Sequence, residues 1–336
     1  MLEAKYYKVL SNNTVRCELC PHYCKLLPGE RGKCGVRKNI EGKLIAENYG
    51  VVSSIHLDPI EKKPLYHFYP GSSILSIGSV GCNLSCSFCQ NCDISQTTVD
   101  DYPWLRHHTI NQVLSYNDNY PDNLGIAYTY NEPTVYFEFM IDLAQEVKKN
   151  GLKNVMISNG FITKEPLNQA LEYIDAFNID LKAFDNHFYK EFSDARLKPV
   201  KDSLVKIRMA GKHLEITNLV IPTLNDERNE FEEMVKWIKN ELGPHTVLHL
   251  SKYFPAYRLN YPPTPTETIA ELFDISKTYL PYTYTGNLNF SPGKNTYCHN
   301  CASLLIEREG GYITRIKGLN KQGKCTSCGM EIIKNM

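Results

Sequence analysis

The 336-residue chain balances 37 Lys plus Arg against 37 Asp plus Glu, so no net charge directs it to nucleic acid or to an acidic surface. Hydrophobic residues make up 42% of it, including 22 Tyr and 13 Phe, which excludes a disordered chain. No apolar run approaches a membrane span and MLEAKYYKVL lacks the apolar stretch of a secretion signal, so a cytoplasmic protein without a membrane partner is expected.

In a cytosolic chain, clustered cysteines point to metal rather than to disulfides, and all twelve here fall into three groups of four. The first is Cys17, Cys20, Cys24 and Cys34, in CELCPHYCKLLPGERGKCGVR. Its spacing suits zinc or an accessory iron–sulfur cluster, with His22 as a substitute ligand. Pro28, Gly29, Gly32 and Gly35 mark turns, and a loop-rich segment of this kind needs a staple, so a structural metal knot is favoured over free thiols. The following VVSSIHLDPIEKKPLYHFYPGS, with its prolines and paired lysines, reads as an irregular, solvated connector.

ILSIGSV (74–80) has the β-branched, apolar character of a buried strand. Gly81 ends it, and Cys82, Cys86 and Cys89 follow as C-x3-C-x2-C. Three thiolates hold three irons of a cubane cluster and leave the fourth open. Adding Cys92 would close a four-thiolate cluster of the ferredoxin type. The C-x3-C-x-aromatic-C pattern, with Phe88 as the aromatic, resembles the cluster loop of radical S-adenosylmethionine (SAM) enzymes. That resemblance implies a [4Fe–4S] cluster whose open iron chelates SAM, and reductive cleavage of SAM to a 5′-deoxyadenosyl radical.

Beyond the loop, strands and helices alternate. Strands are expected at 124–130, 154–158, 177–181, 213–221 and 246–251, and helices at 134–151, 165–174, 198–211 and 227–243. This alternation implies parallel βαβ units, which right-handed crossovers curl into an α/β fold, a partial (βα)6 barrel. In such barrels the chemistry sits on the loops after the strands, and the cysteine loop is so placed. A proline-rich stretch, YFPAYRLNYPPTPTET, then leads to a helix at 267–279 and an aromatic strand, YTYTG. The expected organisation is a Cys-rich lobe (1–70), the barrel (71–255), a linker with a helix and a strand (256–290), and a small C-terminal domain (291–336).

A SAM pocket needs polar groups at several strand ends. Glu132, held extended by Pro133, is placed to accept from an ammonium. Ser158, Asn159 and Gly160 form a turn with exposed amides suited to a carboxylate or ribose. Asp180 and Lys182, two residues apart, share a face and suit the zwitterionic end of SAM or its hydroxyls; a surface ion pair is the alternative. His213, Glu215 and Thr217 alternate along the fifth strand, and His249 and Ser251 lie on the sixth.

Together, GCNLSCSFCQN, TYNEPT, SNG, NIDLKAF and IPTLND resemble the radical SAM enzymes related to the pyruvate formate-lyase activating enzyme. CELCPHYC, GKCGVR, DPIEKKPLYHF and ISQ resemble more narrowly the radical SAM enzymes of the AmmeMemoRadiSam system. The resemblance implies that Cys82, Cys86 and Cys89 ligate the cluster and that Phe88 and Gln90 flank the adenine. It also implies that Asn131 and Glu132 meet the SAM amino group, that Asp180 and Lys182 contact SAM, and that His249 lies close to it. Tyr130 and Asn131 replace two glycines of the family pattern, which puts close backbone approach there in doubt. Ile157 replaces an aspartate associated with cation binding, so no such site is expected, and Cys92 has no cluster role. The implied partners are a reductant such as ferredoxin or flavodoxin, a protein substrate, and Memo-like and AMMECR-like proteins.

The third cysteine group, Cys298, Cys301, Cys325 and Cys328, pairs two C-x2-C knuckles as in a zinc ribbon, with rubredoxin-like iron as the minor alternative. The basic residues of 308–324 read as a solvated face rather than a nucleic-acid contact.

Overall fold

The computed structural model describes residues 2–102, 105–288, 291–309 and 312–336. Its centre is one eight-stranded sheet whose strands follow one another in space in chain order. They are β1 (Ser54–Pro59), β2 (Ser73–Gly78), β3 (Asn123–Tyr128), β4 (Lys153–Ser158), β5 (Ala176–Asp180), β6 (His213–Val220), β7 (Val247–Lys252) and β8 (Thr283–Gly286). β1 is antiparallel to β2, and every later pair is parallel.

The helices that cover the sheet are α1 (Ile110–Asp118), α2 (Phe137–Lys149), α3 (Lys164–Tyr173), α4 (Asn186–Ser193), α5 (Leu197–Met209), α6 (Arg228–Trp237) and α7 (Thr266–Lys277). Their starts carry the expected chemistry. The Asp185 side chain accepts from Phe188 N at 2.9 Å and Glu227 from Glu230 N at 2.8 Å, each satisfying an amide that a helix start leaves without a partner. Apolar faces of α2, α5 and α6 bury Phe139, Met140, Leu143, Val200, Leu204, Phe231 and Val235 against the sheet. At Gly125 the neighbouring strand comes so close that a Cβ would stand 1.9 Å from Lys153 O, so only glycine permits this β3–β4 contact.

The α/β barrel architecture is present, with more strands than the six expected. YTYTG contributes β8, a seventh parallel strand. The segment expected to be a solvated connector supplies β1, and Ile60, Glu61, Lys63, Leu65, His67 and Phe68 after it are buried. That reading is corrected: Asp58 pairs with Lys62 and Lys63 within the segment, and distant residues supply further hydrogen bonds to it. Glu61 Oε1 accepts from Thr314 Oγ1 at 2.8 Å, and Arg308 Nη2 donates to Tyr66 O at 2.9 Å. α4 was also not foreseen.

Small antiparallel sheets flank the barrel. Two lie in the N-terminal lobe, and the third joins Thr296–Tyr297, Leu304–Glu309 and Ile313–Ile316. A buried ion pair ties the N-terminal lobe to α2: the Arg37 guanidinium meets the Glu138 carboxylate with both side chains 1% exposed. Among the described residues no helix is long and apolar enough to cross a membrane.

Candidate active site

At the C-terminal ends of β2 to β6 lies a cavity of about 490 Å³. Cys82, Cys86 and Cys89 line it together with Phe88, Gln90, Asn131, Glu132, Ser158, Asn159, Asp180 and Lys182. These residues come from four separate strand–loop units, and Leu219 adds a fifth, β6.

The cysteine loop is held from several directions. Asn131 accepts from Ser79 N at 2.9 Å and donates to Gly81 O at 2.8 Å, so β3 fixes the start of the loop. Gly81 has φ +87, and a Cβ there would come 2.5 Å from Cys34 O, so the N-terminal lobe presses directly on it. Ser85 N and Ser87 N donate to the carbonyls of Ser193 and Phe192, and Cys86 Sγ lies 3.3 Å from Ser193 Oγ. The end of α4 therefore supports the middle cysteine.

The three sulfurs are free. Among the described residues, donor atoms converge within 4.8 Å at the C-terminal cysteines and at no other group of three, so Cys82, Cys86 and Cys89 stand too far apart for a single ion. Three thiolates lining one cavity would hold three irons of a cubane cluster and leave the fourth for a ligand. Burial pushes all three thiols up, opposed at Cys86 by the Lys182 charge. Cys92 lies on the short helix Cys92–Ser95 with its Sγ 3.7 Å from Asp93 Oδ1, and it does not line the cavity.

Glu132 is 2% exposed. Its Oε1 accepts from Thr134 N, Thr134 Oγ1 and Ser158 Oγ at 2.9, 2.6 and 2.7 Å, and Oε2 accepts from Asn159 N at 2.8 Å. Burial raises the carboxyl's pKa, and these hydrogen bonds oppose the rise. Oε2, with one partner, keeps capacity to accept from a ligand cation. Asn159 Nδ2 donates to Asn83 Oδ1 at 2.8 Å and stands 3.8 Å from Cys82 Sγ. Lys182 Nζ pairs with Asp180 Oδ2 at 2.8 Å. Burial works against the Lys182 charge, but Asp180 and Cys86 outweigh it and hold the ammonium above its ordinary range. Its Nζ also lies 5.8 Å from the centre of the Phe88 ring.

Tyr130 adopts φ +70, the left-handed conformation that glycine takes freely, so its backbone is strained here. Its hydroxyl donates to Asp58 Oδ2, and Lys63 Nζ lies 4.7 Å from its ring centre. Lys62 and Lys63 are cavity residues missed in the sequence reading, as are Thr129, Leu219 and Asn287. The paired lysines of DPIEKK were the available signal for the first two.

His249 does not line this cavity. Its Nε2 lies 2.6 Å from Glu215 Oε2, His213 Nε2 lies 2.9 Å from Glu215 Oε1, and Tyr66 N and His67 N donate to the same carboxylate. His249 lines a second cavity of about 280 Å³, which shares Lys62 and Asn287 with the first. Three residues of this second cavity's wall each have a buried side-chain polar atom without a hydrogen-bond partner: Glu61 Oε2, Thr285 Oγ1 and Arg308 Nε.

The C-terminal cysteines form a different kind of site. Cys298 and Cys328 sulfurs are 3.6 Å apart, Cys301 and Cys325 sulfurs 3.7 Å, and all four lie within 4.8 Å. That convergence fits one tetrahedral metal ion.

The profile of the Radical SAM superfamily matches residues 76–238, the span that carries the cysteine loop and four of the five other strand ends described. The chain is 43% identical to the uncharacterised protein MJ0808 of Methanocaldococcus jannaschii across 99% of both chains. It is 23% identical to the pyruvate formate-lyase-activating enzyme of Clostridium pasteurianum over 181 residues, 52% of this chain and 75% of that one. Its fold is similar to that of SuiB of Streptococcus suis, with a TM-score of 0.51 and 15% identity over 68% of this chain and 52% of that one.

Proposed function

We propose, on the premise that this chain belongs to the radical SAM superfamily, that its large cavity holds a [4Fe–4S] cluster on Cys82, Cys86 and Cys89 with SAM beside it. The chain is a radical SAM enzyme, and the cluster and SAM, when bound, supply reductive cleavage and a radical able to abstract hydrogen. One observation carries the assignment of residues: three cysteines too widely spaced for one ion open on the same cavity as Glu132, Asn159, Asp180 and Lys182.

The protein's own contribution is binding and orientation. Glu132, fixed by Thr134, Ser158 and Asn159, offers Oε2 to the SAM ammonium. Asp180 accepts from ribose hydroxyls while Lys182 holds it in place, and Phe88 and Gln90 bound the adenine. The substrate enters through the second cavity, which Lys62 and Asn287 join to the first. A glycine of a partner enzyme is one candidate for the abstracted hydrogen, an activating-enzyme reading supported by the similarity to the Clostridium pasteurianum enzyme. The motifs CELCPHYC and DPIEKKPLYHF support placement in the AmmeMemoRadiSam branch, with Memo-like and AMMECR-like proteins as functional partners. A ferredoxin or flavodoxin serves as reductant, and zinc occupies the C-terminal cysteines.

The test is anaerobic reconstitution with iron and sulfide, followed by dithionite and SAM. Formation of 5′-deoxyadenosine that is abolished by Cys86→Ala is the expected result. A fully reconstituted protein that leaves SAM intact overturns the proposal.

A further inference from the structure

The N-terminal cysteines have no part in the cavity just described. Cys17 ends the strand Val15–Cys17, Cys20 and Cys24 lie on the turn after it, and Cys34 precedes the strand Arg37–Ile40. Cys17 N donates to Cys24 O at 2.9 Å, which closes the turn. All four are free thiols, and all four line one enclosed cavity with His22, Arg37 and Asn83. The cavity is small, about 20 Å³. A group that fills it must bond to the sulfurs rather than lie against them, which excludes an organic ligand.

Nuclearity follows from spacing. A single tetrahedral ion holds thiolates at about 2.3 Å and so brings their sulfurs to roughly 3.8 Å from one another. The C-terminal cysteines meet that condition. No three of the N-terminal sulfurs lie within 4.8 Å of one another. Sulfurs that share an enclosed cavity yet stand further apart are matched by a group that presents a separate metal to each of them, as a cubane cluster does.

Arg37 gives an independent observation. It is 1% exposed, its Nη1 donates to Lys5 O at 3.1 Å, and its Nη2 is held by Glu138. Its Nε–H, on the cavity wall, has no acceptor. A buried N–H without a partner is costly, and the sulfur of an anionic cluster is an acceptor suited to it.

We propose that Cys17, Cys20, Cys24 and Cys34 ligate a second iron–sulfur cluster, of the [4Fe–4S] type and closed by four thiolates. It lies directly behind the first. Asn83, on its wall, receives His22 Nε2 at its carbonyl at 2.7 Å and Asn159 Nδ2 at its side chain, and Cys34 O abuts Gly81. The second cluster thereby supports the loop that carries the first, and it stands on the geometry of the N-terminal lobe, independent of SAM chemistry.

The decisive protein is the full chain with Cys82, Cys86 and Cys89 all changed to Ala, reconstituted anaerobically with iron and sulfide. About four acid-labile sulfides per chain, with the Mössbauer signature of a [4Fe–4S] cluster, are expected. Iron bound singly at the C-terminal cysteines brings no inorganic sulfide and does not imitate this result. Adding Cys17→Ser and Cys20→Ser should remove the sulfide. Should that variant fail to fold, the wild type gives the same reading: about eight sulfides support the second cluster and about four overturn it. Zinc in the N-terminal cysteines of the triple variant, or no sulfide at all, also overturns it.

Discussion

Tyr130 donates its phenolic hydrogen to Asp58 Oδ2 at 2.7 Å, joining the end of β3 to the end of β1. The same carboxylate receives Lys62 Nζ and Lys63 Nζ, each at 2.7 Å. Asp58 therefore sets two cavity lysines and the side chain of the strained Tyr130 at once. Lys62 is half-exposed, but the Lys63 and Asp58 side chains are only 3% and 5% exposed. Removing one partner from a buried pair leaves the other uncompensated, at about 3 kcal/mol. Asp58→Asn should lower unfolding free energy by about that amount in urea titration.

The same variant carries a pH signature. Burial alone would raise the Asp58 carboxyl, but Lys62, Lys63 and Tyr130 outweigh it and hold it well below the usual carboxylate range. The folded state then binds fewer protons than the unfolded state at acid pH. This contribution is complete above about pH 5 and fades as pH falls below about 4. The stability difference between wild type and Asp58→Asn should shrink across that window. A difference that stays constant from pH 7 to pH 3 contradicts the assignment.

Glu132→Gln tests the acceptor of the SAM ammonium. Gln keeps an oxygen for the bonds from Thr134 and Ser158, but its amide N–H2 would face Asn159 N, and the negative charge is lost. Hydrogen bonds to a charged group contribute about 1.5–3 kcal/mol, so SAM affinity should fall roughly 10- to 100-fold. Iron content should stay at the wild-type level, since no cluster ligand changes. Calorimetric titration of reconstituted protein with SAM reads the effect, and an unchanged Kd removes Glu132 from the pocket.

The βα repeat was legible because each parallel strand is a short apolar run whose register follows from its own residues. The cysteine loop was legible because its spacing is local. Burial of DPIEKKPLYHF was not, because although Asp58 pairs locally with Lys62 and Lys63, the hydroxyls that complete the hydrogen bonding of Asp58 and Glu61 come from Tyr130 and Thr314, 72 and 253 residues away. α4 was missed although its signals were local: Asp185 caps its start and Phe188, Tyr189 and Phe192 form its apolar face, but at eight residues it is short, and its support of Ser85 and Ser87 runs through backbone carbonyls. His213 and His249 were seen as alternating polar residues pointing to one side, and they do converge. Their target is Glu215, and the sequence has no feature that tells a shared ligand from a shared carboxylate.

The C-terminal unit is expected to depend on a metal held by its four cysteines. Its own core consists of Cys298, Leu305, Ile306, Leu319, Cys325 and Ile333, and two of those six belong to the four-cysteine group. So small a core does not hold a fold by itself. Chelation, or Cys298→Ser with Cys325→Ser, should make residues 296–336 susceptible to limited proteolysis while the barrel stays resistant. Resistance of both parts after complete metal removal, checked by elemental analysis, contradicts this dependence.

His249→Gln separates the two cavities. His249 is 4% exposed and bonded to Glu215, whose carboxylate keeps His213, Tyr66 N and His67 N when the imidazole is gone. Loss of one buried hydrogen bond costs about 1–3 kcal/mol of stability, which a chain still anchored by the three remaining donors tolerates. Because His249 lines the smaller cavity, SAM affinity and uncoupled 5′-deoxyadenosine formation should stay within about twofold of wild type, where the Glu132→Gln variant loses roughly tenfold or more. A comparable loss of SAM affinity in His249→Gln would return this histidine to the SAM pocket and move the boundary between the two cavities.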